Sequence, residues 1–561
     1  MNFPFKQGLL CCGLLCCLIW VAESFAKNSE VAIASAHPLA TEAGFEIIAK
    51  GGNVFDAAVA ISTVLAVVEP AGSGLGGGGY WLLHRVKDNL DVLIDGREKA
   101  PLAADKNMFL NQAGKVIPKL SLDGALAAAI PGLPAALVLL SEKYGNLSLA
   151  NSLEPAIRHA RNGFAITKRH RRMLESRAKV LNQHRNTAAI FLNQGFVPES
   201  FSILKQPELA NTLKQLAKNG REGFYNGIVA KDLIRGVRKA GGIWTQQDLD
   251  AYQVIERQPV TGNYQGITIT SAPPSSSGGI VLLEALNILS GFNLKKTDEV
   301  TRKHLIIEAL RRAYHDRSLY LGDPDFIDIP VQRLLSLDYA AGLRSSIRPD
   351  KALPSGFLAG DMLDEHQGTQ TSHFSIIDAA GNRVAATLSV NMPFGSGFMP
   401  EGTGVLLNDE MDDFVSLSGA MNGYGLDGGV ANSIAPGKRM LSSMTPTFLE
   451  TPEHIAVLGT PGGSRIISMV LLGVLDFANG HNPDSWVKQP RFHHQYLPDL
   501  IEYESGALSP SERATLTSMG HQLKETKRQY GDMQAVQLNK LSHQLTAASD
   551  PRGEGLAKVS H

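Results

Sequence analysis

Thr371, His373 and Ser375 alternate along TSHFSIID, and Thr387, Ser389 and Asn391 alternate along NRVAATLSVN just downstream. With a period of two, each set shares one face of a strand, while Phe374 and Ile376, and Val384, Ala386, Leu388 and Val390, share the opposite faces. If residues 379–381 form a three-residue hairpin loop with Gly381 left-handed, Asp378 faces Asn382. That register sets Phe374 against Ala386, Ile376 against Val384, and Thr371 against Ser389. A threonine hydroxyl is a weak nucleophile unless a base lies beside it, and the α-amino group of the same residue is such a base if the residue begins a chain. Its ordinary pKa of roughly 7.7 to 8 suits general-base work near neutrality. The alternative for this stretch taken alone is an exposed edge strand with β-favouring hydroxyl residues.

Three further groups could serve such a nucleophile. GVLLNDEMDDFV crowds Asn408, Glu410 and Asp413 into a short turn that lacks the spacing of a calcium loop, so the alternative is a solvated acidic loop. KRMLSSMTPTF pairs hydroxyls at Ser442 and Ser443. LGTPGGSRI places Gly462 and Gly463 between a strand pattern and a helix pattern, where bare backbone N–H groups can meet an oxyanion. No G-x-S-x-G elbow occurs in the chain, and the glycines at 76–79 lack the Lys-Ser or Lys-Thr of a phosphate loop.

These groups need a scaffold. The chain has 561 residues, 43% hydrophobic and 19% charged, enough to bury a large core or two fused ones. A net charge of -1 leaves no electrostatic footprint for nucleic acid or an anionic membrane. Cys11, Cys12, Cys16 and Cys17 all fall in MNFPFKQGLLCCGLLCCLIWVAESFA, whose early lysine, short apolar run and small residues at Ser24 and Ala26 read as a signal peptide, residues 1–26. The alternative is an uncleaved anchor, although the run falls short of the roughly 20 apolar residues a span needs. A mature chain from Lys27 holds no cysteine, which excludes disulfides and thiolate chemistry, and the leader implies an exported protein, periplasmic or extracellular.

HPLATEAGFEIIAKGGNVFDAAVAISTVLAVVEP reads as two helices parted by Gly51 and Gly52, with Asn53 capping the second, which is apolar nearly all round and needs cover on every side. Helical patterns dominate from about 130 to 325. Residues 356–370 lose apolar periodicity and form the best internal break. Beyond it, strand patterns return in SHFSIID, NRVAATLSV, HIAVLGT and LIEYE, with a helix in RIISMVLLGVLDFANG. Helices and strands in separate clusters with antiparallel hairpins indicate layered α+β packing.

Taken together and in order, EPAGSGLGGGG, DGREKAP, PPSSSGG, LGDPDF, TSHFS, LLNDEMDDF, KRMLSSMTPT and GTPGGSR resemble the γ-glutamyltransferase (γ-glutamyltranspeptidase) family of N-terminal nucleophile hydrolases, from about residue 30 to the end. The resemblance implies a four-layer αββα sandwich built jointly from a large subunit, 27–370, and a small catalytic subunit, 371–561, produced by self-cleavage between Gln370 and Thr371. It implies Thr371 as nucleophile, with Ser389 where the family usually has an assisting threonine, and Gly462 and Gly463 as oxyanion hole. Asn391, Glu410 and Asp413 match contacts to the donor's α-amino group, and Arg97, Ser442 and Ser443 match contacts to its α-carboxylate. The segment between Asp413 and Lys438 is similar to a lid loop, with Tyr424 at the gating position. Opposed charges, Asp413 and Glu410 on one side and Arg97 on the other, would suit a carbon bearing both an ammonium and a carboxylate. The implied partners are glutathione and other γ-glutamyl compounds with amino-acid or dipeptide acceptors, and the chemistry requires no metal or organic cofactor. A cephalosporin acylase or polyglutamate-processing transpeptidase of the same fold, and an uncleaved binding protein, are the alternatives.

Overall fold

The computed structural model describes residues 30–358, 371–415, 422, 426 and 429–560. The expected leader, Gln370 and Tyr424 lie outside the described residues. The strands that build the two large sheets are β1 (Val31–Ser35), β2 (Gly78–Arg85), β3 (Leu90–Gly96), β4 (Ile255–Arg257), β5 (Val260–Tyr264), β6 (Ile267–Ser271), β7 (Ser372–Asp378), β8 (Arg383–Ser389), β9 (Thr447–Glu450), β10 (His454–Gly459), β11 (Gln534–Asn539), β12 (Leu545–Ser549) and β13 (Leu556–Val559). One sheet runs β13-β1-β7-β8-β2-β3-β4 and the other β12-β11-β10-β9-β6-β5.

The helices α1 (Pro38–Ala49) and α2 (Val54–Val68) meet where expected, with Gly51 left-handed at φ +88° between them. Asn53 Oδ1 accepts the N–H groups of Phe55 and Asp56, and Asp56 returns a carboxylate to the Asn53 N–H, a complete capping box. Every residue of α2 is buried, as an all-round apolar helix requires, and α2 packs on the β7–β8 side of the first sheet. On the far side of the second sheet lie α3 (Gly278–Leu289), α4 (Glu299–Tyr320) and α5 (Arg465–Ala478). The order is helices, sheet, sheet, helices, the expected αββα sandwich, and no helix among the described residues is long and apolar enough to cross a membrane.

The β7–β8 hairpin forms in the expected register, with Ile376 opposite Val384 and Phe374 opposite Ala386. Its loop closes through Asp378 N–H to Asn382 O at 3.0 Å, with Gly381 at φ +97°. The hairpin is central and not an edge: β7 pairs with β1, β8 pairs with β2, and both strands are buried throughout. Phe374, Ile376, Val384, Ala386 and Leu388 join the core under α2. The alternate positions, Ile377 and Ala385 among them, join the core between the sheets, so the polar face of the hairpin points at the second sheet. Because β7 and β8 sit between β1 and β2, the segments on either side of residues 359–370 share both sheets.

Candidate active site

Thr371 is buried at 5% exposure immediately ahead of β7, and the next step of the hairpin register places it across from Ser389. Ser389 Oγ accepts the Asn391 N–H at 2.8 Å, which leaves its own proton to donate elsewhere. Asn391 adopts φ +74°, a left-handed conformation that asparagine tolerates, and its side-chain amide donates to Asp409 O at 3.0 Å. The glycine cluster ahead of β2 lets these segments approach: a Cβ on Gly77 would stand 2.1 Å from Ser389 O, and one on Gly76 2.1 Å from Leu406 O. The cluster is therefore a packing device that admits two neighbouring backbones.

The acidic turn is buried and not a solvated loop. Residues Glu410–Asp413 form a 3₁₀ turn, and Glu410 is fully buried. Arg97 and the two acids meet directly. Arg97 makes ion pairs with Glu410 at 2.6 Å and Asp413 at 2.5 Å, and Glu98 lies 3.6 Å away. Burial works against the Arg97 charge, but the surrounding carboxylates outweigh it and hold the guanidinium protonated. Burial likewise pushes Glu98 and Glu410 above the usual carboxylate range, against the pull of Arg97.

Arg97 follows β3, whose Asp95 anchors a second buried ionic group. Asp95 pairs with Arg257 at 2.6 Å and Arg439 at 3.3 Å, and Asp323 accepts the Arg439 N–H at 2.7 Å. This network fixes the start of the Arg439–Ser443 run. The PPSSSGG segment fixes its end: Ser442 N–H donates to Ser275 O at 3.0 Å, and Ser277 N–H donates to Ser442 O at 2.8 Å. Asp95 of DGREKAP and the LGDPDF and PPSSSGG motifs thus position the pocket, while Arg97 of DGREKAP lines it. Gly462 (φ +145°) and Gly463 (φ +58°) form the turn between β10 and α5, both left-handed as a bare-backbone turn demands.

One small cleft brings together Arg97, Thr371, Ser389, Asn391, Asp413, Ser442, Ser443 and Gly463. Glu410 pairs with Arg97, and Gly462 is set back from the lining, where a Cβ would stand 2.6 Å from Met469 Cε. Arg317 also lines the cleft, although no motif marks it, because a basic residue in the last turn of a helix ordinarily serves that helix end. Larger clefts, one between α4 and α5 and one beside Arg235 and Lys239, lie among other residues and hold no paired hydroxyls of this kind.

The sandwich of two sheets with this hairpin at its centre is that of the N-terminal nucleophile hydrolases. Its fold matches the crystal structure of a cephalosporin acylase from Bacillus halodurans with a TM-score of 0.84 at 27% identity, over 94% of this chain and 96% of that one. A γ-glutamyltranspeptidase structure from Helicobacter pylori matches at 41% identity and a TM-score of 0.56, over 57% of this chain and 92% of that one. The gamma-glutamyltranspeptidase family profile matches residues 40–560. The glutathione hydrolase proenzyme of Pseudomonas sp. (strain A14) is 42% identical over 92% of this chain and 91% of its own, and that of Escherichia coli (strain K12) is 40% identical over 93% and 90%. The chain belongs to the γ-glutamyltranspeptidase family.

Proposed function

We propose that this protein cleaves the γ-glutamyl amide of glutathione and related compounds and passes the γ-glutamyl group to water or to the amine of an amino acid or dipeptide. The observation that carries the reading is the cleft where a hydroxyl pair, Thr371 and Ser389, opens beside the ion-paired Arg97 and Asp413. Membership of the family and relatives named glutathione hydrolase proenzyme support it. The Thr371 hydroxyl attacks the amide carbon while the α-amino group of Thr371 takes its proton and delivers it to the leaving amine. Backbone N–H groups at Gly462 and Gly463 hold the oxyanion, and a γ-glutamyl ester remains on Thr371 until water or an acceptor amine resolves it. Asn391, Glu410 and Asp413 receive the donor ammonium, and Arg97, Ser442 and Ser443 its carboxylate.

The α-amino base exists only after the bond between Gln370 and Thr371 is cut, so the precursor, exported by residues 1–26, matures into 27–370 and 371–561. The two products stay together as a heterodimer because both sheets draw strands from each. Turnover of γ-glutamyl-4-nitroanilide by the purified protein, with and without a dipeptide acceptor, tests the reading. Release of nitroaniline that rises with acceptor is expected, from protein that runs as two fragments on a denaturing gel. A fully cut protein that releases none, yet opens a cephalosporin side-chain amide, would instead favour the acylase reading suggested by the B. halodurans fold match.

A further inference from the structure

The net charge of -1 averages over a strong local excess: residues 161–205 hold nine Lys and Arg against two acids, Glu175 and Glu199. Their centre is the helix Lys168–Leu181, which buries His170, Leu174, Val180 and Leu181. Lys168, Arg172 and Lys179 are exposed, and their spacings of four and seven put them in one outward row. Arg171, on the flank, pairs with Glu175 and Glu199, whereas no ion pair or hydrogen bond engages the side chains of those three among the described residues.

The loop after this helix runs back beside it. Asn182 Nδ2 donates to Gly195 O at 2.8 Å, Glu199 meets Arg171, and the Phe201 N–H donates to Ile166 O at 2.6 Å. Ile203 then pairs with Ala165. Along this strip Phe196, Phe201 and Ile203 are 77%, 70% and 60% exposed. Phe201 is held at φ +72°, a left-handed conformation that a bulky residue ordinarily avoids. The fold thus keeps a strained residue whose side chain adds nothing to the core and presents an aromatic ring to water, and such strain points to a functional surface.

We infer that this strip docks the protein on an anionic phospholipid bilayer, with Phe196 and Phe201 entering the headgroup boundary and the row of Lys168, Arg172 and Lys179 meeting lipid phosphates. The core of a protein interface is a contiguous apolar patch depleted of lysine; separate apolar side chains beside unpaired Lys and Arg suit a membrane surface instead. Each cation near an anionic surface strengthens binding by about fivefold. The inference is independent of the reaction proposed for the cleft.

Co-sedimentation of the purified protein with vesicles of phosphatidylglycerol and phosphatidylcholine in equal parts, and with vesicles of phosphatidylcholine alone, tests it. Binding to the anionic vesicles is expected to be at least about tenfold tighter, and to weaken in about 1 M salt, where charges are screened beyond roughly 3 Å. Arg172→Glu with Lys179→Glu is expected to weaken it at least about twentyfold. Phe196→Ser with Phe201→Asn is expected to weaken it at least about tenfold, asparagine being a residue that tolerates the left-handed backbone. All four side chains are exposed, so both variants should keep the parental melting temperature, and if one pair fails to fold the other carries the comparison. No binding to the anionic vesicles, equal binding to both kinds, or parental binding by both variants overturns the inference. Loss in the charge-reversed pair alone also overturns it, since that is adhesion without insertion. Self-association that the phenylalanine pair abolishes, without vesicle binding, would assign the strip to a second copy of this chain and overturn it as well.

Discussion

The imidazole of His373 lies so close to the backbone of Gly459 that a Cβ built on the glycine would stand 2.2 Å from the ring Cε1. His373 is two residues past Thr371, and Gly459 ends β10 three residues before Gly462. The contact therefore sets the spacing between the proposed nucleophile and the proposed oxyanion turn. Ser375 Oγ donates to Gln534 O at 3.0 Å, so it accepts from the His373 Nε2–H at 3.2 Å, and Nδ1 accepts from Thr387 Oγ at 2.8 Å. Gly459→Ala forces the sheets apart. It is expected to cost at least about 1 to 3 kcal/mol of stability, the usual range for overpacking, and to lower turnover of γ-glutamyl-4-nitroanilide. An unchanged melting temperature with full activity would refute the spacer role.

Burial pushes the His373 imidazole down to about 3, so the folded protein holds it neutral. Its unfolded value of roughly 6.5 means that the unfolded chain binds the extra proton between those two pH values, and folding stability falls as pH drops through that window. A His373→Asn variant lacks this linkage. The parent's stability advantage over the variant at pH 7 is expected to shrink by about 3 kcal/mol at pH 4.5, at about 1.4 kcal/mol per pH unit. Urea unfolding of both proteins at the two pH values checks the sign: a gap that is constant or widens toward acid shows that the imidazole is not held neutral.

Arg97 and its acids make a buried cluster whose members fail differently when removed. Arg97→Gln leaves Glu410 and Glu98 buried without a counter-charge, a loss of about 3 to 5 kcal/mol that should show first as poor folding or incomplete maturation. Asp413→Asn keeps the shape of the cluster and leaves Glu410 on Arg97 at 2.6 Å, so the protein should fold and mature. It should still lose donor efficiency by about a hundredfold, since one charge of the donor goes unpaired at a cost of order 2 to 5 kcal/mol. Glutathione turnover within about threefold of the parent would show that Asp413 does not meet the donor.

How far the sequence reveals this site depends on the range of the interaction. The β7–β8 register is legible because two independent constraints agree, the alternation of apolar residues and a glycine placed for a left-handed turn. The α1–α2 pair is legible from its glycines and its capping asparagine. The direction in which the polar face of β7 looks is not, because both faces are buried and alternation cannot tell a helix layer from a second sheet. The Arg97–Asp413 contact spans 316 positions in the chain, so residue types suggest opposite charges but not that they touch. In the ionic network, Asp95, Asp323 and Arg439 fall in quoted motifs that give those three residues no task, and Arg257 falls in none.

Thr371→Ala removes one hydroxyl at the start of a strand held on both sides by β1 and β8. The variant is expected to stay a single uncut chain, inactive, with a melting temperature within a few degrees of an uncut precursor. In the parent, terminal sequencing should find a second chain beginning at Thr371. One intact and active chain would end the proposal of an N-terminal nucleophile.

Ser389 sits across from Thr371 with its oxygen already accepting the Asn391 N–H at 2.8 Å, so its proton is directed away from that bond. Cross-strand neighbours have Cβ atoms roughly 4.5 to 5.5 Å apart, close enough for this hydroxyl to orient the oxygen of Thr371 before attack. Ser389→Ala takes away that donor and also the acceptor of the Asn391 N–H, at about 0.5 to 1.5 kcal/mol for a neutral hydrogen bond and more if the bond tightens in the transition state. Both the half-time of self-cleavage and the turnover number should therefore worsen, by about threefold to tenfold or more. Ser389→Thr keeps the oxygen and restricts its rotamer, so both rates should hold or improve. The β-branched methyl must fit beside Gly78, which pairs with Ser389 across β2 and brings no side chain of its own. Normal cleavage and turnover in the alanine variant would show that Ser389 serves only to hold Asn391, and a collapse of both in the threonine variant would show that the space beside Gly78 is already filled.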